Sequence, residues 1–403
     1  MHKMKWWIVL ATLVASLFLV PGAYACGGFF CTNVPVDQAA ERIIFAVNDD
    51  GTIDAYVQIN YTGAPDAFAW VVPVPNPPKV DVATMAMLRE LDRLTQPVYV
   101  APPLTSACQD AFRRLPLPAA AQPAGGATSS VTVFDQGSVG PFNYAVVGSD
   151  DPKAMVKWLQ DNKYQITSAM EPFIDVYVKE KMVFLAMKLQ PNKQVRDIQP
   201  VKMTYKATKP MIPLRLTAVA ATPNMVVLTW ILAKSQAEPE NYAAVSVPDN
   251  DIVFTAFGGN NYPQLAQQRL GEQKGRAFVT EYAGAANRFS ISDPALRALL
   301  SQYPYLTRVY TRISPEDMTI DPVFRFNASL PDVSNVHDLS KDPNRVWDCD
   351  KMTNTVTNPV VATASRATDN FNPVVTAIYA AGACIALALV FVGFGLVVSR
   401  RRA

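Results

Sequence analysis

The chain contains very little histidine, which excludes most common catalytic designs. Only His2 and His337 occur among its 403 residues, and His2 lies in a segment that we expect to be removed. Any Ser-His-Asp or Cys-His mechanism would have to use His337, and a paired-histidine zinc site is excluded. We interpret His337 as a surface histidine, because its sequence neighbour Asp338 does not by itself make a catalytic triad.

Nucleophile and phosphate-binding motifs are missing as well. The closest approach to the G-x-S-x-G elbow is QGSVG, in which Gln136 replaces the first glycine. The stretches GEQKG and FGGNN lack the phosphate-loop pattern. We therefore predict that the protein has no cofactor and no metal site.

A strong charge of either sign is also lacking. Five basic residues belong to the two ends of the chain: Lys3, Lys5, Arg400, Arg401 and Arg402. Without them, 31 of the 36 basic residues remain against 34 acidic ones, a net charge of about −3. Such a weakly acidic body offers no general attraction for nucleic acid, which we exclude as a partner.

The N-terminal end has the pattern of a signal peptide, which we place at residues 1–25. Lys3 and Lys5 precede an apolar run over residues 6–20, and Ala23-Tyr24-Ala25 supplies the small-residue cleavage pattern. Cleavage there would make Cys26 the first residue of the mature chain. Lipid attachment to Cys26 is an alternative, although Ala23 and Tyr24 fit a lipoprotein signal poorly.

The C-terminal end predicts a transmembrane helix over residues 374–398, where the chain has neither charge nor proline. These 25 residues would extend about 37 Å as a helix, enough to cross the hydrocarbon core. Arg400, Arg401 and Arg402 follow at once, and the positive-inside rule then makes residues 399–403 a cytoplasmic tail. The prediction is a single-pass protein of the cell membrane, with the lipid bilayer as a partner. A sorting tail that is cut and replaced by another anchor is the alternative.

Cysteines outside the predicted span are even in number, which favours disulfides in an oxidising compartment. They are Cys26, Cys31, Cys108 and Cys349, whereas Cys384 lies within the span. We expect Cys26–Cys31, because two glycines ease a tight loop, and Cys108–Cys349 as the remaining pair. A Cys31–Cys108 bond with Cys26 lipidated or free is the main alternative, and free thiols or a metal site are weaker ones.

The region 26–350 is predicted as an extracytoplasmic body of one or two domains, and residues 351–373 as a stalk linker. A hairpin is expected where Arg42–Val47 and Ile53–Tyr61 flank Asn-Asp-Asp-Gly, with a wet face in its second strand. Further strands are expected over 68–74, 182–189, 201–206 and 225–232, and helices over 82–94, 152–162, from 172, 264–269 and 294–302. Residues 117–130 form a predicted low-complexity loop. The fold class is α+β, predominantly antiparallel β with a few covering helices.

Several longer motifs together resemble a bacterial family known as domain of unknown function 2330. They are CGGFFC, PVDQAAERIIF, FAWVVPVP, IPLRLTAVAA, FVTEYAG and LTRVYTRISPEDMTIDPVF, between Cys26 and about Asp342. The resemblance implies an exported bacterial protein, often with a C-terminal membrane span, and implies no reaction, ligand or fold. The family pattern also leads us to expect glycine where Lys181 stands.

The most promising polar stretch is YLTRVYTRISPEDMTIDP. As a strand it places Arg308, Tyr310 and Arg312 on one face. Two arginines about 7 Å apart could bind a carboxylate or phosphate of a cell-envelope polymer. In the alternative interpretation the face is solvated and its charges pair with the acids of the following PEDMTID segment.

Two classes of function follow from these patterns. The first is a membrane-anchored extracytoplasmic binding or structural module of the bacterial cell envelope, with an envelope polymer or another envelope protein as partner. The second is an envelope-polymer hydrolase that uses paired carboxylates, for which Asp66, Glu281 and Asp321 are the candidates. Such chemistry needs only two acids about 5 to 10 Å apart, which sequence spacing cannot reveal. The lack of any recognisable catalytic motif favours the module.

Overall fold

The structure, a computed structural model, describes residues 38–61, 64–65, 68–102, 135–254 and 259–341. Several predictions lie outside these residues and stay predictions: the signal peptide, all five cysteines and their disulfides, Asp66, the loop 117–130, the linker, the span 374–398, and Arg400, Arg401 and Arg402. Within the described part of the chain, no helix is both long enough and apolar enough to cross a bilayer.

Strands dominate the described residues. In chain order they are β1 Gln38–Val47, β2 Thr52–Ile59, β3 Ala69–Val74, β4 Lys79–Val82, β5 Val98–Val100, β6 Asp135–Val139, β7 Phe142–Val147, β8 Val183–Leu189, β9 Val201–Lys206, β10 Ala221–Ala233, β11 Ala237–Pro239, β12 Ala243–Val245, β13 Ala277–Ala285, β14 Tyr305–Ile313, β15 Phe324–Phe326 and β16 Val336–Asp338. The helices are α1 Met85–Thr95, α2 Pro152–Asp161, α3 Glu171–Lys179, α4 Leu214–Thr217, α5 Tyr262–Gly271 and α6 Pro294–Leu300.

Two main sheets are formed. The large sheet has the order β12-β13-β14-β10-β1-β2-β9-β4, and the small sheet has the order β3-β8-β7-β6. Neighbouring strands are antiparallel throughout the small sheet, whereas the large sheet contains two parallel pairs, β1 with β10 and β12 with β13. Two short ribbons join β11 to β15 and β5 to β16. The predicted sheet-rich α+β class is confirmed, with a mixed rather than purely antiparallel large sheet.

The main layers follow the order helix, sheet, sheet, helix. Phe45 and Val57 of the large sheet share one core with Val72 and Leu185 of the small sheet, so the two sheets pack face to face. Helices α2 and α3 cover the outer face of the small sheet, and α1 and α6 cover the outer face of the large sheet. Helix α5 packs beside them against β12 and β13. Each main sheet therefore has helices on its outer face and the other sheet on its inner face.

The predicted hairpin is confirmed, but the predicted solvent-exposed face of its second strand, β2, is not. Val47 pairs with Ile53 across the Asn48–Gly51 turn, in which Gly51 has a φ of 81° that favours glycine. Tyr56, which alternation placed in solvent, is buried against apolar residues of α1. Gln58 is also buried, and its amide donates to Asn60. The prediction was wrong because alternation within one strand does not reveal a helix that covers its polar face.

Local capping explains why the helices begin where they do. The Thr84 hydroxyl accepts from the Met87 amide, so α1 starts three residues later than predicted. Asp151 and Asp293 cap α2 and α6 in the same way, each followed by proline. Lys181, where glycine was expected, has a φ of 60°, a conformation that favours glycine after helix α3.

Candidate functional site

The three candidate anion-binding residues lie on β14, on the outer face of the large sheet. Arg308 is directly opposite Trp230 of β10, whose indole belongs to the cluster beneath α1, whereas Val309 points into the core between the sheets. Arg308 is only 5% exposed. Its guanidinium therefore faces protein groups rather than solvent.

Arg308 is held by two carboxylates and a hydroxyl. Its Nε donates to Glu281 Oε2 at 2.6 Å, and its Nη1 donates to Asp92 Oδ1 at 2.8 Å and Thr95 Oγ1 at 3.0 Å. The guanidinium also lies 5.4 Å from the centre of the Trp230 ring, within the range of a cation–π contact. Such a buried charge is tolerated because it is both paired and hydrogen-bonded.

A β-bulge brings Glu281 to this position. The pairing of β13 with β14 shifts between Thr280 and Tyr282, so that the extra residue, Glu281, has no partner across the strands. A bulge redirects a side chain, and here both Glu281 and Tyr282 come to the outer face beside Arg308. The last turns of α1 supply the other two partners, Asp92 and Thr95.

A chain of aromatic contacts connects this centre with His337. The Tyr262 hydroxyl donates to the second oxygen of Glu281 at 2.5 Å, and its ring lies 5.5 Å from that of Tyr99. Tyr99 stacks on the imidazole of His337 at 4.4 Å, and His337 Nδ1 lies 2.7 Å from Asp249 Oδ1. Burial, and next the neighbouring carboxylates, raise the pKa of both tyrosines. The His337 side chain is 22% exposed, and its carboxylate partner is Asp249 rather than the adjacent Asp338.

Arg312 and Tyr310 form a separate pair on the same face. Arg312 Nε donates to the Tyr310 hydroxyl at 2.6 Å, and both side chains are half-buried. Arg312 makes no ion pair with any described carboxylate. Arg308 therefore pairs with acids, as the alternative interpretation expected, although they are Glu281 and Asp92 rather than those after β14. Anion binding by Arg308, Tyr310 and Arg312 stays a prediction, and Arg312 is the arginine of the three that has no described carboxylate partner.

Asp321 belongs to a second buried ion-pair cluster. Its Oδ1 accepts from the Tyr177 hydroxyl and the Arg215 amide, both at 2.9 Å, and its Oδ2 accepts from Arg215 Nε at 2.8 Å. Arg215 also binds both oxygens of Glu180, at 2.8 and 2.6 Å. Burial raises the pKa of Asp321, against the opposing effect of Arg215. A cavity of about 310 Å³ lies beside this cluster.

The two described candidate acids are thus placed apart in the fold. Glu281 faces α1 on the outside of the large sheet, whereas Asp321 contacts α3, which covers the small sheet. Their clusters share no described residue, and each carboxylate already accepts hydrogen bonds on both oxygens.

Sequence reasoning missed Glu41, a buried acid in β1. It is 7% exposed and lies on the same strand face as Ile43 and Phe45, in the core between the sheets. Its Oε2 has no hydrogen-bond partner among the described residues, and burial raises the pKa of the carboxyl group to about 7. The spacing in ERIIF, with an acid two and four residues before core positions, was the available signal, but the predicted strand began at Arg42, four residues after the start of β1, and so left Glu41 out.

Comparison with known proteins identifies the family. Neither the curated proteins nor the solved structures contain a match to the chain. The family described as an uncharacterized protein conserved in bacteria (DUF2330) matches residues 20–325, more than half of the 403-residue chain. The resemblance seen in the motifs is confirmed, and the chain belongs to this family.

Proposed function

We propose that the protein is a membrane-anchored extracytoplasmic binding or structural module of the bacterial cell envelope. The span 374–398 anchors it in the cell membrane, the body faces outward, and the tail after it is cytoplasmic. Its partner is an envelope polymer or another envelope protein. The signal and span patterns at the two ends support the location, and the family supports the bacterial source.

One observation favours a module over a hydrolase: Glu281 and Asp321 each already accept hydrogen bonds on both carboxylate oxygens. A hydrolytic acid must hold a proton for the leaving group, and its partner must reach water or the sugar. Glu281 instead binds Arg308 and Tyr262, and its side chain is nearly inaccessible. Asp321 binds Arg215 and Tyr177 in the same manner. Both acids serve the packing of the body, which favours the module over the hydrolase.

Topology is tested on the full chain in membranes. A reporter fused after Ala403 should be active only in its cytoplasmic form, and external protease should release a body that ends within residues 351–373. An exported reporter would contradict the proposed orientation.

The choice between module and hydrolase needs a separate assay. The full chain is incubated with isolated cell-wall sacculi, and both sedimented protein and released sugar are measured. We expect co-sedimentation that weakens in Arg312→Gln but not in the exposed control Arg196→Gln, with no release of sugar. Sugar release that disappears in Glu281→Gln or Asp321→Asn would favour the hydrolase.

A further inference from the structure

The side chain of Glu41, whose Oε2 has no hydrogen-bond partner among the described residues, lines a cavity between the two sheets. Its walls come from both sheets and are largely apolar, including Val57 of β2, Val72 of β3 and Met203 of β9. The volume is about 30 Å³. Since a water-sized group needs about 10 to 15 Å³ on this measure, the cavity has room for roughly two non-hydrogen atoms.

One polar group lacks a partner at this cavity. Glu41 Oε2 is buried without a hydrogen bond to any described residue. Lys209 lies at the exposed rim, but its Nζ is 2.6 Å from Glu240 Oε2. No described cation therefore neutralises Glu41. A buried polar group without a partner is costly, and such groups mark places where a ligand can supply the missing contact.

We propose that this cavity binds the primary ammonium group of a small amphipathic amine. The ammonium ion donates to the Glu41 carboxylate, and the first carbon atoms lie against Ile43 and Val57. The rest of the ligand extends to the rim beside Lys209.

Size and charge select this chemical class. An ammonium group is a compact cation with three donors, which suits a site with an unused carboxylate acceptor and little room. A guanidinium group is larger and planar, and its fork requires an open carboxylate. An alcohol would supply a donor but would leave a buried negative charge without compensation, so it should bind more weakly than the amine.

Protonation of Glu41 should control binding. Tyr205 and Lys209 are the other titratable side chains among the described residues that line the cavity; burial raises the pKa of Tyr205, and Lys209 is paired with Glu240. With a carboxyl pKa of about 7, the ionised fraction rises about tenfold between pH 6 and pH 8. The amine remains protonated in this range, as lysine does. Affinity should therefore rise about tenfold over the same interval.

The test uses the full mature chain in a nonionic detergent, with n-propylammonium chloride as the probe. Calorimetric titration and thermal unfolding are compared with sodium chloride at equal ionic strength and with propan-1-ol. We expect saturable binding that raises the unfolding temperature, is about tenfold tighter at pH 8 than at pH 6, and exceeds that of propan-1-ol.

Variants locate the site. Glu41→Gln should weaken binding at least tenfold, whereas Tyr205→Phe, at the far end of the same cavity, and the exposed Glu171→Gln should leave it unchanged. Circular dichroism at each pH shows that the variants are folded. Absence of saturable binding, equal binding of propan-1-ol, or undiminished binding by folded Glu41→Gln would overturn the proposal, and an internal water would then be the occupant.

Discussion

Replacing Glu41 by glutamine removes an ionisable group from the core between the two sheets while keeping nearly the same shape. The folded state holds the proton of Glu41 more tightly than the unfolded state, because its pKa rises from 4.5 to about 7. Between these two values the native protein binds more protons, so its free energy of unfolding falls as pH increases. The stabilising effect of the proton is fully present below pH 4.5 and lost once pH passes about 7.

The size of the effect follows from the shift. A difference of 2.5 pKa units corresponds to about 3 kcal/mol of unfolding free energy. Glutamine cannot ionise and should escape this loss, although its amide still needs a partner in an apolar site. We therefore expect Glu41→Gln to be close to the wild type in stability near pH 4.5 and to gain on it by up to about 3 kcal/mol by pH 8.

Denaturant unfolding of the detergent-solubilised chain, followed by tryptophan fluorescence at several pH values, measures this difference. Buried Trp70 and Trp230 report on the two sheets. The exposed control Glu171→Gln should follow the wild-type pH dependence. If Glu41→Gln loses stability between pH 5 and pH 8 as steeply as the wild type, the burial of an uncompensated carboxyl at this site is refuted.

Three further changes test the ion pairs and the backbone. Arg308→Met leaves Glu281 buried without its cation and should cost about 3 to 5 kcal/mol in denaturant unfolding; an unchanged midpoint would contradict the buried pairing. Asp321→Asn should cost about 1 to 3 kcal/mol at pH 7, measured in the same way, because Arg215 loses its buried partner; no loss would show that Glu180 alone suffices. Lys181→Gly should stabilise by up to about 1 kcal/mol because its φ is 60°, whereas Lys179→Gly within α3 should destabilise by about 1 kcal/mol; equal effects would contradict the left-handed turn.

Features set by neighbouring residues could be predicted from the sequence. The Asn48–Gly51 turn specifies the first hairpin, and Asp151 before proline specifies the start of α2. In both cases a few consecutive residues determine the backbone conformation. The expectation of glycine at Lys181 came instead from the resemblance to the family, and the φ of 60° there is one that favours glycine.

Features that depend on distant strands could not be predicted. Ile43 lies beside Thr229 in a parallel pairing that no local pattern indicates. The partners of Arg308 come from β13 and from α1, which is more than 200 residues away, and Glu281 reaches it only through a bulge. Alternation also suggested a solvated face for β14, and covering helices made it a buried one.

Glu41 and Glu281 show how a partner decides the role of a buried acid. Both are glutamates of the large sheet with similarly low exposure, and they lie on its opposite faces. Glu281 has Arg308 and Tyr262 as donors, so its charge strengthens the packing of β13 against α1. Glu41 has no cationic partner within the described part of the chain, and its apolar surroundings destabilise the ionised form. Natural proteins keep a buried charge-bearing group without a partner mainly where it serves a function. The inter-sheet cavity, rather than the Arg308 cluster, is therefore where a ligand should be sought first.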